Sequence, residues 1–155
     1  MKILPFVSGY RAEEWRLLRG RKAFAATAGN GAQGAVAIAD VSGQIELWAR
    51  PLIYCSESLV GPLAVIDEGV TGNTNAWNTD VVATDIVSGR WAFTDSGIVV
   101  GTGPLDNISL LGVSANILLT VKTADISDGQ LDFFIWWRPL SSNGNLVLAT
   151  GMTAI

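Results

Sequence analysis

The chain has 155 residues, 49% of them apolar and only 15% charged, with a formal net charge of −4. That length suits one core rather than two, and that composition excludes a disordered chain. The absence of histidine and the single cysteine exclude the usual zinc, copper and haem ligand sets within one chain and every serine or cysteine nucleophile activated by histidine.

Charge is unevenly spread. Residues 1 to 22 hold Lys2, Arg11, Arg16, Arg19, Arg21 and Lys22 against Glu13 and Glu14, a net of +4, while the remainder holds four basic and twelve acidic residues, a net of −8. A basic arm on an acidic body steers the chain toward an anionic partner. The body lacks the basic surface that phosphate neutralisation needs, so nucleic acid is not the expected partner. The apolar stretch after Met1-Lys2 is short and ends at no small-residue cleavage site, which argues against classical secretion. No apolar run reaches the roughly 20 residues that span a bilayer.

In chain order, Ser8 and the Glu13-Glu14 pair precede an amphipathic stretch, Trp15-Arg16-Leu17-Leu18-Arg19, closed by Gly20. This pattern predicts one or two helical turns with a glycine stop, too short to be stable without a surface to dock on. Residues 23 to 35 are small and glycine-rich with no periodic apolar face, the composition of a linker. The body is expected to start at Val36, giving an arm and linker over 1–35 and a β-domain over 36–155. Short β-branched and aromatic runs then predict strands near 36–41, 44–55, 63–70, 80–85, 90–94, 97–100, 107–111, 116–123, 130–138 and 145–150, separated by Ser-Gly, Asp-Glu-Gly and Ser-Asn-Gly-Asn turn signals. The fold class that follows is all-β, an antiparallel sandwich of jelly-roll type with a short N-terminal arm.

Two strands carry the core. Alternation places Ile45, Leu47 and Ala49 on one face and Glu46, Trp48 and Arg50 on the other. Near the carboxyl end, Leu131, Phe133, Ile135 and Trp137 form a wholly apolar face, while Asp132, Phe134, Trp136 and Arg138 form a half-apolar one. A strand apolar on both sides is covered on both sides, so the second face is expected to meet the arm or a neighbouring subunit.

Catalytic patterns are weak. Asp67, Glu68, Asp80 and Asp85 lack calcium-loop spacing and read as solvated turn acids. Asp85 and Asp95 have nothing that sets a glycosidase separation, and Gly101-Thr102-Gly103-Pro104 lacks the Lys-Ser or Lys-Thr of a phosphate loop. Cys55, inside the apolar run Leu52-Ile53-Tyr54-Cys55, reads as a buried inert thiol. No cofactor or metal site is expected, and the protein is not read as an enzyme. Of the six tryptophans, Trp91 and Trp137 are expected in the core. Trp77, in a polar loop, and Trp15, on the basic arm, are candidates for contact with another chain or ligand.

The segments Glu68-Gly69-Val70-Thr71-Gly72-Asn73-Thr74, Ala83-Thr84-Asp85-Ile86 with Trp91, Ile117 through Asp125, and Asp132 through Ser141 together resemble a group of small tailed-phage virion proteins. The resemblance spans about residues 36 to 150 and leaves out the arm. It implies a particle component on the capsid surface, a decoration or cement protein, commonly a trimer, made in the host cytoplasm and bound to the major capsid protein. On that reading Trp15, Leu17 and Leu18 are apolar anchors, and Arg16, Arg19 and Arg21 meet carboxylates of a neighbour. The alternatives are a tail, adaptor or fibre component, and a carbohydrate-binding sandwich with Trp77 or Trp91 as stacking platform.

Overall fold

The computed structural model describes residues 15–92 and 111–155. Their strands are β1 (Arg16–Ala23), β2 (Gly34–Ser42), β3 (Ile45–Leu47), β4 (Leu52–Val60), β5 (Val65–Val70), β6 (Asn73–Val82), β7 (Arg90–Ala92), β8 (Leu111–Val113), β9 (Ile117–Lys122), β10 (Asp128–Pro139), β11 (Asn145–Leu148) and β12 (Thr153–Ala154), with one 3-10 turn at Ala83–Asp85. The expected strand at 97–100 and most of that at 107–111 lie outside the described residues, as do Asp95 and the 101–104 turn.

All strand pairs are antiparallel, and they make two sheets. β3 and β4 lie end to end along one edge of β10, pairing with its residues 137–139 and 128–134 respectively. β7 pairs with β4 and β8 with β3, again end to end. Treating each such pair as one interrupted strand, the sheets read β1-β10-β3/β4-β7/β8 and β2-β9-β5-β6, with β12 added beside β1 and β11 beside β2. That is the eight-strand, two-sheet order of a jelly roll, so the all-β sandwich expected from the spacing of turn signals is the fold observed.

The core is built from the inward faces. Leu131, Phe133, Ile135 and Trp137 of β10 are buried, opposite Val36, Ile38, Ile66, Leu119 and Val121 of the other sheet, and Ile45, Leu47 and Ala49 are buried as the alternation required. The expected strand over 44–55 is broken by a bend at Trp48–Pro51, which lets its two halves address different parts of β10.

The arm differs from expectation. Trp15–Arg19 do not form helical turns; residues 16–23 form β1, in register with β10 from Arg16↔Trp137 to Ala23↔Gln130. A helix of one or two turns must nucleate at a cost that a few residues cannot offset, whereas the open edge of β10 offers eight paired positions. The sequence also fits period two: Leu18, Gly20 and Lys22 point inward, and Leu17, Arg19 and Arg21 outward. Gly20, the expected helix stop, faces the core where the Leu148 side chain approaches to 2.5 Å of where a Cβ would stand. Lys22 is buried, its ammonium donating to the Gly151 carbonyl at 3.4 Å, and burial lowers its pKa.

Residues 24 to 33 are likewise no linker. Phe24 is buried, the Ala26 N–H donates to the Ile126 carbonyl and the Ile126 N–H to the Gly31 carbonyl. Gly31, at φ +117°, passes so close to this partner that a Cβ would fall 2.3 Å from the Ile126 oxygen. The packed body therefore begins before Val36: β1 and the turn after it belong to the sandwich.

Candidate functional site

The outward face of the seven-stranded sheet is aromatic and cationic, and its geometry follows from strand register. Directly opposed residues in antiparallel strands share a face, so the face can be read in rows. One row runs Leu17, Trp136 and Trp48, the last placed by its N–H donating to the Trp136 carbonyl at 3.0 Å. The next runs Arg19, Phe134 and Leu52, and the one after it Arg21, Asp132, Tyr54 and Trp91. On the other side lie Trp15, Arg138 and Glu46.

Ring contacts knit the rows. Trp15 meets Trp48 edge to face at 5.1 Å, and the Arg138 guanidinium lies 4.8 Å from the Trp15 ring centre. Trp91 packs on Tyr54 at 5.4 Å and on Phe134 at 5.7 Å. Trp136 and Trp48 nevertheless stay 43% and 42% exposed, with Leu17 and Leu140 similarly open. Side-by-side exposed tryptophans on a sheet are unusual for a surface with no ligand to cover it.

Electrostatically the face is one-sided. Asp132 is buried beneath Arg21, which grips it through two hydrogen bonds of 2.6 and 2.9 Å, and the Ser56 hydroxyl adds a third. The pairing raises the Arg21 guanidinium further above its ordinary value. Glu46 is similarly covered by Arg138. Both carboxylates of the rows are thus neutralised by neighbours, leaving Arg19 as the surplus positive charge of this face among the described residues, with Arg16 on the inward-facing set at the strand's end. Arg16 lies 5.0 Å from the Trp137 ring centre, and Arg19 has no acidic partner among the described residues.

Of the residues singled out from sequence, Trp15, Leu17 and Arg19 come together on this face, with Arg16 at its margin. Leu18 is turned inward and packs against the core, and Arg21 is committed to Asp132 rather than to a neighbour's carboxylate. Trp77 sits on β6, half-buried and packed against the core, so it is not the loop-borne platform its polar neighbours suggested. Trp91, expected inside, lies on the outer face, whereas Trp137 is in the core. Trp48 and Trp136 were missed as a site. The signal was present, since alternation already put both on the faces opposite the core; what was missing was knowledge that β3 and β10 are neighbours.

The acids also differ from expectation. Asp67 and Glu68 are buried within β5 rather than solvated. Asp67 and the exposed Asp80 flank the Lys122 ammonium at 2.8 and 2.6 Å, which fills the place a cation would take. Among the described residues no group of three or more Cys, Asp or Glu side chains is arranged to hold a metal ion. Cys55 is buried and its thiol is pushed up to about 11 by that burial, which keeps it protonated at neutral pH.

If Arg16 and Arg19 steer a partner, replacing both with glutamine is expected to weaken association severalfold at low salt and little at high salt, because exposed charges are screened beyond about 10 Å at 0.1 M. Binding measured at two ionic strengths checks this; equal loss at both would assign their effect to packing.

Comparison of the chain with family models, with curated proteins and with solved structures finds no match in any of the three, so the face is interpreted from its own chemistry.

Proposed function

We propose that the protein is a non-enzymatic structural component of a tailed-phage particle, a decoration or cement protein that docks on the major capsid protein through the outer aromatic face and acts as a homotrimer on the capsid surface. The virion assignment is supported by the sequence resemblance over residues 36 to 150. The docking surface is supported by one observation: exposed Trp48 and Trp136 beside Leu17, with the neighbouring carboxylates Asp132 and Glu46 covered by Arg21 and Arg138 and with Arg19 in surplus. Aromatic residues and arginine are the types that dominate protein interfaces, and depletion of unpaired acid there is their usual signature.

The test is the copy number of this chain relative to the major shell protein in purified particles, measured by quantitative mass spectrometry. A ratio near one is the expected result. A few copies per particle would move the assignment to a tail, adaptor or fibre component, and absence would remove the virion assignment.

The same two tryptophans favour a second reading, a carbohydrate-binding sandwich, because exposed indoles can stack on sugar faces. Trp48 and Trp136 replace Trp77 and Trp91 as its platform. Quenching of tryptophan fluorescence by oligosaccharide, lost in Trp136→Ala, distinguishes it.

A further inference from the structure

Glu68 points between the two sheets. It is opposed in register by Asn78 of β6 and Leu119 of β9, with the pairing of β5 and β6 irregular on both sides of it. The Asn78 amide donates to one of its carboxylate oxygens at 2.5 Å, while the other oxygen has no hydrogen-bond partner among the described residues. Asn78 in turn accepts from the Arg50 guanidinium at 2.9 Å through its own carbonyl oxygen. Arg50 belongs to the bend between β3 and β4, in the opposite sheet, so Arg50, Asn78 and Glu68 form a polar chain from one sheet to the other.

That bend also carries part of the docking face. Within it Trp48 lies on the outer face, Ala49 is buried in the core and Arg50 reaches Asn78. One residue therefore separates the group that answers to Glu68 from an exposed tryptophan.

Among the described residues the charged groups around Glu68 are few. The bend contributes Arg50. The titratable residue of β6, Asp80, and that of β9, Lys122, are bound to each other and to Asp67 on the outward side of the sheet, away from Glu68. Leu119, opposite Glu68 on β9, is fully buried. A carboxylate in this position lacks the full set of partners that a buried charge requires.

We propose that Arg50, Asn78 and Glu68 form a proton-operated latch in which the charge state of Glu68 sets the position of the Trp48 bend and so tunes the outer face. With Glu68 ionised, Arg50 is drawn toward the carboxylate through Asn78; with Glu68 protonated, that pull is lost while the buried charge is removed. Burial pushes the Glu68 carboxyl up to about 7, against the opposing pull of Arg50 and the Asn78 hydrogen bond. The chain contains no histidine to titrate in the same range. The sign for stability follows: the native state holds a proton that the unfolded chain releases above the ordinary carboxylate range. Stability therefore falls as pH rises from that range to about 7 and levels off beyond it.

The latch is tested on the isolated protein by following the Trp48 indole resonance, assigned with Trp48→Phe, between pH 5.5 and 8.5. A single titration with its midpoint near 7 is expected in the wild type. Glu68→Gln, which keeps size and hydrogen bonding, should abolish the titration and flatten the pH dependence of the urea midpoint over the same range. Arg50→Gln should largely flatten the indole titration, because the cation through which the ionised carboxylate pulls on the bend is gone. A Trp48 signal that ignores pH in the wild type, one that still titrates in Glu68→Gln, or one that titrates undiminished in Arg50→Gln would overturn the latch. Its bearing on docking rests on the proposed function above, but these measurements need no partner, so failure of the latch and failure of the docking face are read separately.

Discussion

Deletion of residues 1 to 22 is expected to abolish cooperative unfolding of the whole body, whereas a deletion ending at residue 14 removes none of the described strands and should leave the transition intact. The reason is the place of β1 between β10 and β12. The deletion strips seven of the eight register pairs from β10, takes away Leu18 and the cover over Leu148 and Met152, and removes the sheet partner of β12 among the described residues. It also opens one side of β10, the central strand bearing Phe133, Ile135 and Trp137, as an apolar edge prone to pairing with other chains. Against the roughly 5–15 kcal/mol by which a domain is stable, the loss of these paired and buried contacts is large. Circular dichroism with thermal or urea unfolding of the two truncations checks this. A body that still unfolds cooperatively without residues 1 to 22 would mean that β1 is an appendage, and that a detachable arm is the better description.

Trp136→Ala and Trp48→Ala are each expected to weaken attachment to particles by about 30-fold, the size of a 2 kcal/mol hot spot. Because the two residues are neighbours across β10 and the β3–β4 bend, the double variant should lose more than either single one but less than the product of the two. Neither side chain contributes to the inner core, so unfolding midpoints should stay close to the wild type. The measurement is quantitative rebinding of purified protein to stripped particles, with thermal unfolding of each variant alongside. Attachment unchanged in the double variant would remove the aromatic face as the docking surface. Loss of sugar quenching with unchanged attachment would assign the face to carbohydrate.

How much of this was legible in the sequence depends on the range of the interaction. Leu131, Phe133, Ile135 and Trp137 declared a core face by alternation alone, because period two is a local property of an extended chain and needs no partner to be recognised. The same holds for Ile45, Leu47 and Ala49, and for the turn signals that predicted a sandwich. Local pattern misled where several local structures were compatible with it. Trp15–Gly20 satisfies a short amphipathic helix and a half-buried strand equally, and only the open edge of β10 decided for the strand. Residues 23 to 35 look like a linker because small residues carry no periodic face, yet their glycines are needed where Gly31 passes under Ile126.

The charged residues show the limit most sharply. Asp67 and Glu68, adjacent in sequence among other acids, resembled solvated turn residues, but alternation in β5 sends one outward to Lys122 and the other inward toward Asn78 and Arg50. Their partners lie on other strands, from 10 residues away at Asn78 to more distant still at Lys122, and nothing in composition selects them. By itself the sequence determined the fold class, the inner faces of the two strongest strands and the exclusion of histidine-based and histidine-ligated chemistry, since all of these rest on residue type and short-range periodicity. The tertiary structure alone decided which outward faces meet, joining Trp15, Trp48 and Trp136 into one surface and Arg50 to Glu68 across the core, because strand neighbours are chosen by pairing between distant segments and not by local propensity.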